Sequence, residues 1–198
     1  SLFSRVNLTY KDRYILALTG RYDGDTQFAD NKKVGFFPGL SVAWRLSQES
    51  FMNGVDFVSD LKIRAGVGQA GNPINSGSWL ALLETAYRFP IGGNVYPGVA
   101  QSQLRNPNLS WETNETINLG VDIEFLEGRV SATAEVYQRT AKDLLDWDIL
   151  PLSNEIVRKR ANIGSTRSQG VEFTLNTVNV KAPFTWTTTL TGTTYKSF

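Results

Sequence analysis

The chain has 198 residues and a formal net charge of +1, from 20 Lys and Arg against 19 Asp and Glu, with no Cys and no His. That balance gives no global field for nucleic acid, and the missing residues remove disulfides, thiol chemistry, His-based proton transfer and the commonest zinc and copper ligand sets. No run of about 18 apolar residues could form a membrane-spanning helix, so any crossing of a membrane would be made by strands.

In chain order, period-two alternation predicts eight strands, at 2–10, 14–22, 36–46, 61–69, 115–125, 129–140, 163–178 and 184–196. Their apolar sets begin with Val6, Leu8 and Tyr10, then Tyr14, Leu16 and Leu18, then Leu40, Val42 and Trp44. Leu61, Ile63, Ala65 and Val67 come next, followed by the clearest case, Ile117, Leu119, Val121, Ile123 and Phe125. Val130 to Val136, Val171 to Leu175, and Trp186 with Leu190 complete the series. The single Met is not at position 1, and both ends fall within strand-like alternation, so the chain reads as a piece of a longer one.

The connections at 11–13, 126–128 and 179–183 are short, 47–60 is intermediate, and 23–35, 70–114 and 141–162 are long. In a meander, short and long connections fall at opposite ends of the sheet, the asymmetry of outer-membrane barrels. Two neighbours are open to the apolar face: lipid outside a barrel, or a second sheet in a soluble sandwich. Three features favour lipid. Strand lengths of about 9–11 residues or a little more suit a tilted crossing. Tyr10, Tyr14, Tyr22, Trp44, Phe125, Trp186 and Tyr195 lie near strand ends, as interfacial aromatics do. The opposite face mixes glycines with Arg5, Arg21, Arg45, Arg64, Asp122, Glu124, Glu135 and Glu172, a composition suited to a lumen packed against another protein element.

Several phrases, in order, resemble the C-terminal barrel region of the SusC/RagA family of TonB-dependent outer-membrane transporters. They are "LFSRVNLTYKDRYILALTGRYDGDTQF" from Leu2, "FFPGLSVAWRLSQESF" from Phe36, "LKIRAGVGQAGN" from Leu61, "NPNLSWETNETINLGVDIEFLEGRVSATAEVYQRTAKDLL" from Asn106 and "NIGSTRSQGVEFTLN" from Asn162. The resemblance implies an all-β, antiparallel transmembrane barrel of about 22 strands with a plugged lumen, of which residues 1–198 supply about eight strands. It implies an integral outer-membrane location in Bacteroidetes-type bacteria and TonB-energised import of a bulky nutrient such as an oligosaccharide or peptide. The implied partners are a SusD-like surface lipoprotein as lid, TonB, and the parent chain's plug. The plug, TonB box and N-terminal domain are not expected within these residues. Two rivals are a complete small eight-stranded barrel and a soluble carbohydrate-binding β-sandwich.

Within that frame Ile117, Leu119, Val121 and Ile123 are expected to face lipid, and the eight charged residues above to face the lumen and plug. The loop aromatics Trp79, Tyr87, Phe89, Tyr96 and Trp147 are candidate contacts to substrate or lid, since rings with polar edges suit sugars and protein partners; packing within their own loops is the alternative. No enzyme is expected, because nothing specifies a catalytic carboxyl pair. No cofactor is expected either: Gly66 to Gly71 satisfies G-x-G-x-x-G, but Asn72-Pro73 follows in place of a helix. Asp23, Asp25 and Asp30 lack calcium-loop spacing, so no metal is assigned.

Overall fold

A computed structural model describes residues 1–73, 79–151, 153, 154, 156 and 158–198. The strands are β1 (Leu2–Tyr10), β2 (Tyr14–Gly24), β3 (Val34–Arg45), β4 (Val58–Asn72), β5 (Leu82–Ile91), β6 (Asn94–Gln103), β7 (Glu112–Phe125), β8 (Val130–Lys142), β9 (Leu145–Ile149), β10 (Arg158–Asn162), β11 (Ser165–Val180) and β12 (Trp186–Ser197). Eight of them form one antiparallel sheet in the order β1-β2-β3-β4-β7-β8-β11-β12, while β5-β6 and β9-β10 are separate hairpins. The main sheet is open, with β1 and β12 as its edges. A closed eight-stranded barrel is thereby excluded for these residues, and so is a two-sheet sandwich.

All eight strands expected from alternation are present, most of them longer than expected. Position 140, where alternation was expected to stop, lies inside β8, and β9 begins only three residues after β8 ends. The long connections 70–114 and 141–162 were expected to be loops, yet each contains a hairpin. In β5-β6 two register irregularities, between Leu82 and Leu83 and between Glu84 and Tyr87, scramble the period, and Pro90 and Pro97 mask it further. Its turn is Gly92-Gly93, at φ of 57° and 81°, the left-handed backbone that a two-residue hairpin requires.

Register rows show why the sheet is two-faced. Leu8, Leu16, Val42, Ala65, Leu119, Val136 and Val171 lie side by side on seven successive strands. The next row on this face is Tyr10, Tyr14, Trp44, Ile63, Val121, Ala134 and Phe173. Tyr22, Phe36, Phe125 and Trp186 share the face, but Tyr195 falls in the row of Tyr137 and Asn118, on the polar side, and so leaves the expected aromatic set. The alternation of strand side chains makes each such assignment a matter of parity.

Among the described residues no second layer covers the apolar face. Leu8 is 55% exposed, Leu119 50% and Val171 45%, whereas the Glu135 side chain on the opposite face is only 20% exposed. This inverts the pattern of a soluble sheet. The buried hydrophobic cluster sits instead among the long connections, where Phe28 and Leu109 are fully buried against Trp79, Trp111 and Leu145.

Candidate functional site

The polar face of β4, β7 and β8 carries a cross-strand charge network. Register sets Lys62 opposite Asp122, and Asp122 opposite Thr133; one row on, Arg64, Gly120 and Glu135 align. Lys62 Nζ is 3.0 Å and Arg64 Nε 3.4 Å from Asp122 Oδ2, and Arg64 Nη1 is 2.5 Å from Glu135 Oε2. The Thr133 hydroxyl donates to Asp122 Oδ1 at 3.1 Å and the Asn118 amide to Glu135 Oε1 at 3.2 Å. Gly120 makes room for this arrangement: a Cβ there would lie 2.8 Å from the guanidinium carbon of Arg64, so a larger residue would push the arginine from this position over β7. Charge-assisted bonds of this kind are the stronger class.

Arg45 Nε lies 3.4 Å from Asp60 Oδ1, which also accepts from the Ser47 hydroxyl. Arg21 pairs with Asp23 at 2.5 Å, donates to the Gly71 carbonyl at 3.3 Å and lies over the Phe37 ring. Arg5 donates to the Asn7 amide oxygen. The structure therefore brings Arg21, Arg45, Arg64, Asp122 and Glu135 into local pairs, and leaves Arg5, Glu124 and Glu172 without an oppositely charged partner among the described residues. Glu172 stands directly opposite Glu135, a like-charge pair that Arg64 relieves on one side only.

At the long-connection end, the five candidate aromatics divide. Trp79 packs against the Phe28–Leu109 cluster, with the Arg105 guanidinium 4.6 Å from its ring centre. Trp147, opposite Arg160 in the β9-β10 hairpin, has the Arg158 and Arg160 guanidiniums at 4.7 and 4.1 Å. Phe89 and Tyr96 are paired across β5-β6, and with Tyr87 they remain about half exposed. The two hairpins are tied together: the Asn106 amide donates to the Arg160 carbonyl at 2.7 Å, and Leu104 bridges Lys159. Asn162 clamps the base of the second hairpin by donating to the Ser110 and Asp143 carbonyls. Reading single strands could not find this cluster, because its partners are up to 79 residues apart, as in the Trp111 indole bond to the Lys32 carbonyl.

The remaining motifs resolve structurally. Gly66 to Gly71 lies wholly inside β4, and the next described element is the strand β5. Asp23 is held by Arg21, Asp25 accepts from the Gln27 backbone, and Asp30 pairs with Lys33, whose hydrogen bond holds the Asp30 carboxyl below its usual range.

A second cluster lies at the short-turn end. Tyr10 and Tyr14 stack at 6.4 Å and Tyr14 and Trp44 at 6.3 Å. The Tyr14 hydroxyl (2.8 Å) and Trp44 indole (3.0 Å) both donate to Glu49 Oε1, while Arg13 contacts Oε2 at 3.0 Å. These donations, the Trp44 indole first, hold the Glu49 carboxyl below its usual range.

Comparison with known proteins agrees with this architecture. The family model for the TonB dependent receptor-like β-barrel matches residues 1–197. TonB-dependent receptor P26 of Formosa agariphila is 35% identical over 195 residues, covering 96% of this chain and 19% of the relative. TonB-dependent receptor SusC of Bacteroides thetaiotaomicron is 34% identical over 194 residues, covering 94% and 19%. The chain thus spans about a fifth of the length of these curated relatives. Among solved structures, the RagAB peptide transporter superposes with a TM-score of 0.84 at 22% identity, covering 98% of this chain and 21% of that one. The siderophore receptor PirA of Pseudomonas aeruginosa gives 0.60 at 17%, covering 98% and 33%. An eight-stranded open sheet, apolar outside its own core and matched by that family over nearly every residue, belongs to the TonB-dependent receptor β-barrel family, whose members are receptors and transporters of the outer membrane rather than enzymes.

Proposed function

We propose that residues 1–198 form about eight strands in the wall of a plugged barrel of about 22 strands, which imports a bulky nutrient, an oligosaccharide or a peptide, across the outer membrane with energy from TonB. The observation that carries this reading is the open sheet with one uncovered apolar face and one charged face, in a chain matched to the receptor family over residues 1–197. The apolar face, Ile117, Leu119, Val121 and Ile123 included, borders lipid. The polar face borders the lumen, and Arg5, Glu124 and Glu172 meet the plug, since they lack ion partners on their own sheet. The name of one similar structure, a peptide transporter, supports the cargo class. A SusD-like lipoprotein would close over the long-connection end, where Tyr87, Phe89, Tyr96 and Trp147 stand, while Trp79 serves the loops' own core.

The test is growth and uptake by a strain lacking the full-length receptor. Loss of growth on one oligosaccharide or peptide source, restored by the receptor and abolished without TonB, is the expected result. Import that survives receptor deletion, or that proceeds without TonB, would refute it. Crosslinkers at position 5 or 172 should capture plug residues, and a purified receptor should bring down one surface lipoprotein.

A further inference from the structure

A cavity of about 680 Å³ opens on the apolar face beside the Tyr10–Tyr14 turn. Its floor is Leu8, Leu16, Val42 and Ala65, where the small Ala65 leaves a depression between Val42 and Leu119 in their register row. Its wall is Tyr14 and Trp44, stacked on each other and fixed by their shared acceptor, Glu49. Hydrogen bonds to Glu49 hold both rings, so this wall of the groove is set before anything enters it. Preorganisation of this kind lowers the cost of binding, and the volume lies within the usual range of ligand sites, about 300–1,000 Å³.

From this geometry we infer that the groove is a binding site for one glycerophospholipid of the leaflet at the short-turn end, with an acyl chain on the Leu8–Ala65 floor and the phosphate at Lys11. The inference rests on the reading that this face borders lipid. An uncharged hydrocarbon chain is the chemistry that the lining admits, since it presents no charged side chain. The headgroup is set by charge: Lys11 Nζ lies 5.3 Å from the centre of the Tyr10 ring at the rim, with no carboxylate partner among the described residues, whereas nearby Arg13 is committed to Glu49. The short-turn end of such barrels is the periplasmic one, whose leaflet is phospholipid.

Native mass spectrometry of the full-length receptor, extracted into mild detergent and exposed to a defined phosphatidylglycerol and phosphatidylethanolamine mixture, reads the site directly. One phospholipid should stay bound to wild type after partial delipidation. Ala65→Phe, which fills the floor with apolar bulk, should lose it; Val42→Phe is the second filling variant should the first fail to assemble. Lys11→Gln should reduce occupancy roughly tenfold, the worth of a hydrogen bond to a charged group. Equal retention by wild type and both filling variants, or a lipid A glycolipid as the retained species, would overturn the inference. If Val121→Arg is harmless the face reading itself falls; if Val121→Arg is damaging yet lipid retention ignores the groove variants, only the groove proposal falls.

Discussion

Replacing Arg64 with alanine isolates the charge network from everything else in the sheet. Arg64 holds Glu135 at 2.5 Å and shares Asp122, which would keep Lys62 and Thr133. Glu135 would keep only the Asn118 amide while standing opposite Glu172. Breaking a fully buried pair costs about 3–5 kcal/mol and an exposed one about 0–1 kcal/mol. With Arg64 and Glu135 side chains 31% and 20% exposed, the expected loss falls between, at about 1–2 kcal/mol. Lys181→Ala, in the exposed turn between β11 and β12 and without an ion partner among the described residues, should change stability by less than about 0.5 kcal/mol. Urea titration of the full-length receptor in lipid bilayers, with a double-mutant cycle against Glu135→Gln, measures both quantities. A cycle coupling of about 0.5 kcal/mol or more is predicted for this pair. No coupling, or a Lys181→Ala effect equal to that of Arg64→Ala, would refute the network as a stabilising element.

Leu109→Ala removes the centre of the loop core and should cost about 2–5 kcal/mol locally, read as protease cutting within 79–111 while the barrel still resists heating in detergent. The Glu49 clamp should respond to acid. Because its folded pKa is depressed, its contribution is full above the ordinary glutamate value of about 4.3 and is lost as pH falls through the lower folded value. Trp44 fluorescence should therefore change below that range in wild type, and Glu49→Gln should remove the transition. Trp147→Ala should weaken lid or substrate binding roughly tenfold, by calorimetry, with thermal stability unchanged; unaltered affinity would return Trp147 to loop packing with Arg158 and Arg160.

The sheet was legible because parity needs only one strand at a time. Ile117 to Phe125 alternates with Asn118, Gly120, Asp122 and Glu124, and neither edge strand nor neighbour can change which side each takes. Tyr195 misleads for the complementary reason: nearness to a strand end says nothing of face, and its register with Gly170 sets it on the polar side. Charge was legible as composition but not as pairing. Arg45 and Arg64 read as free anchors for a plug, whereas Asp60, Asp122 and Glu135 reach them by register that only the folded sheet fixes. The loops were least legible, because bulges and prolines break the period in β5-β6 and because the ties between hairpins, such as Asn106 to Arg160, join distant positions. The Gly92-Gly93 turn was the available signal for the first hairpin.

The central claim is that one face of this sheet borders lipid and the other the lumen, and a matched pair of arginines tests it most directly. Val121 lies in the middle of the apolar face and Asn118 on the polar face of the same strand. Folding of the full-length receptor into bilayers, followed by heat-modifiable gel mobility and urea titration, should show Val121→Arg destabilised by about 2–4 kcal/mol and Asn118→Arg nearly unaffected. Equal effects, or a greater loss from Asn118→Arg, would contradict the assignment of the two faces.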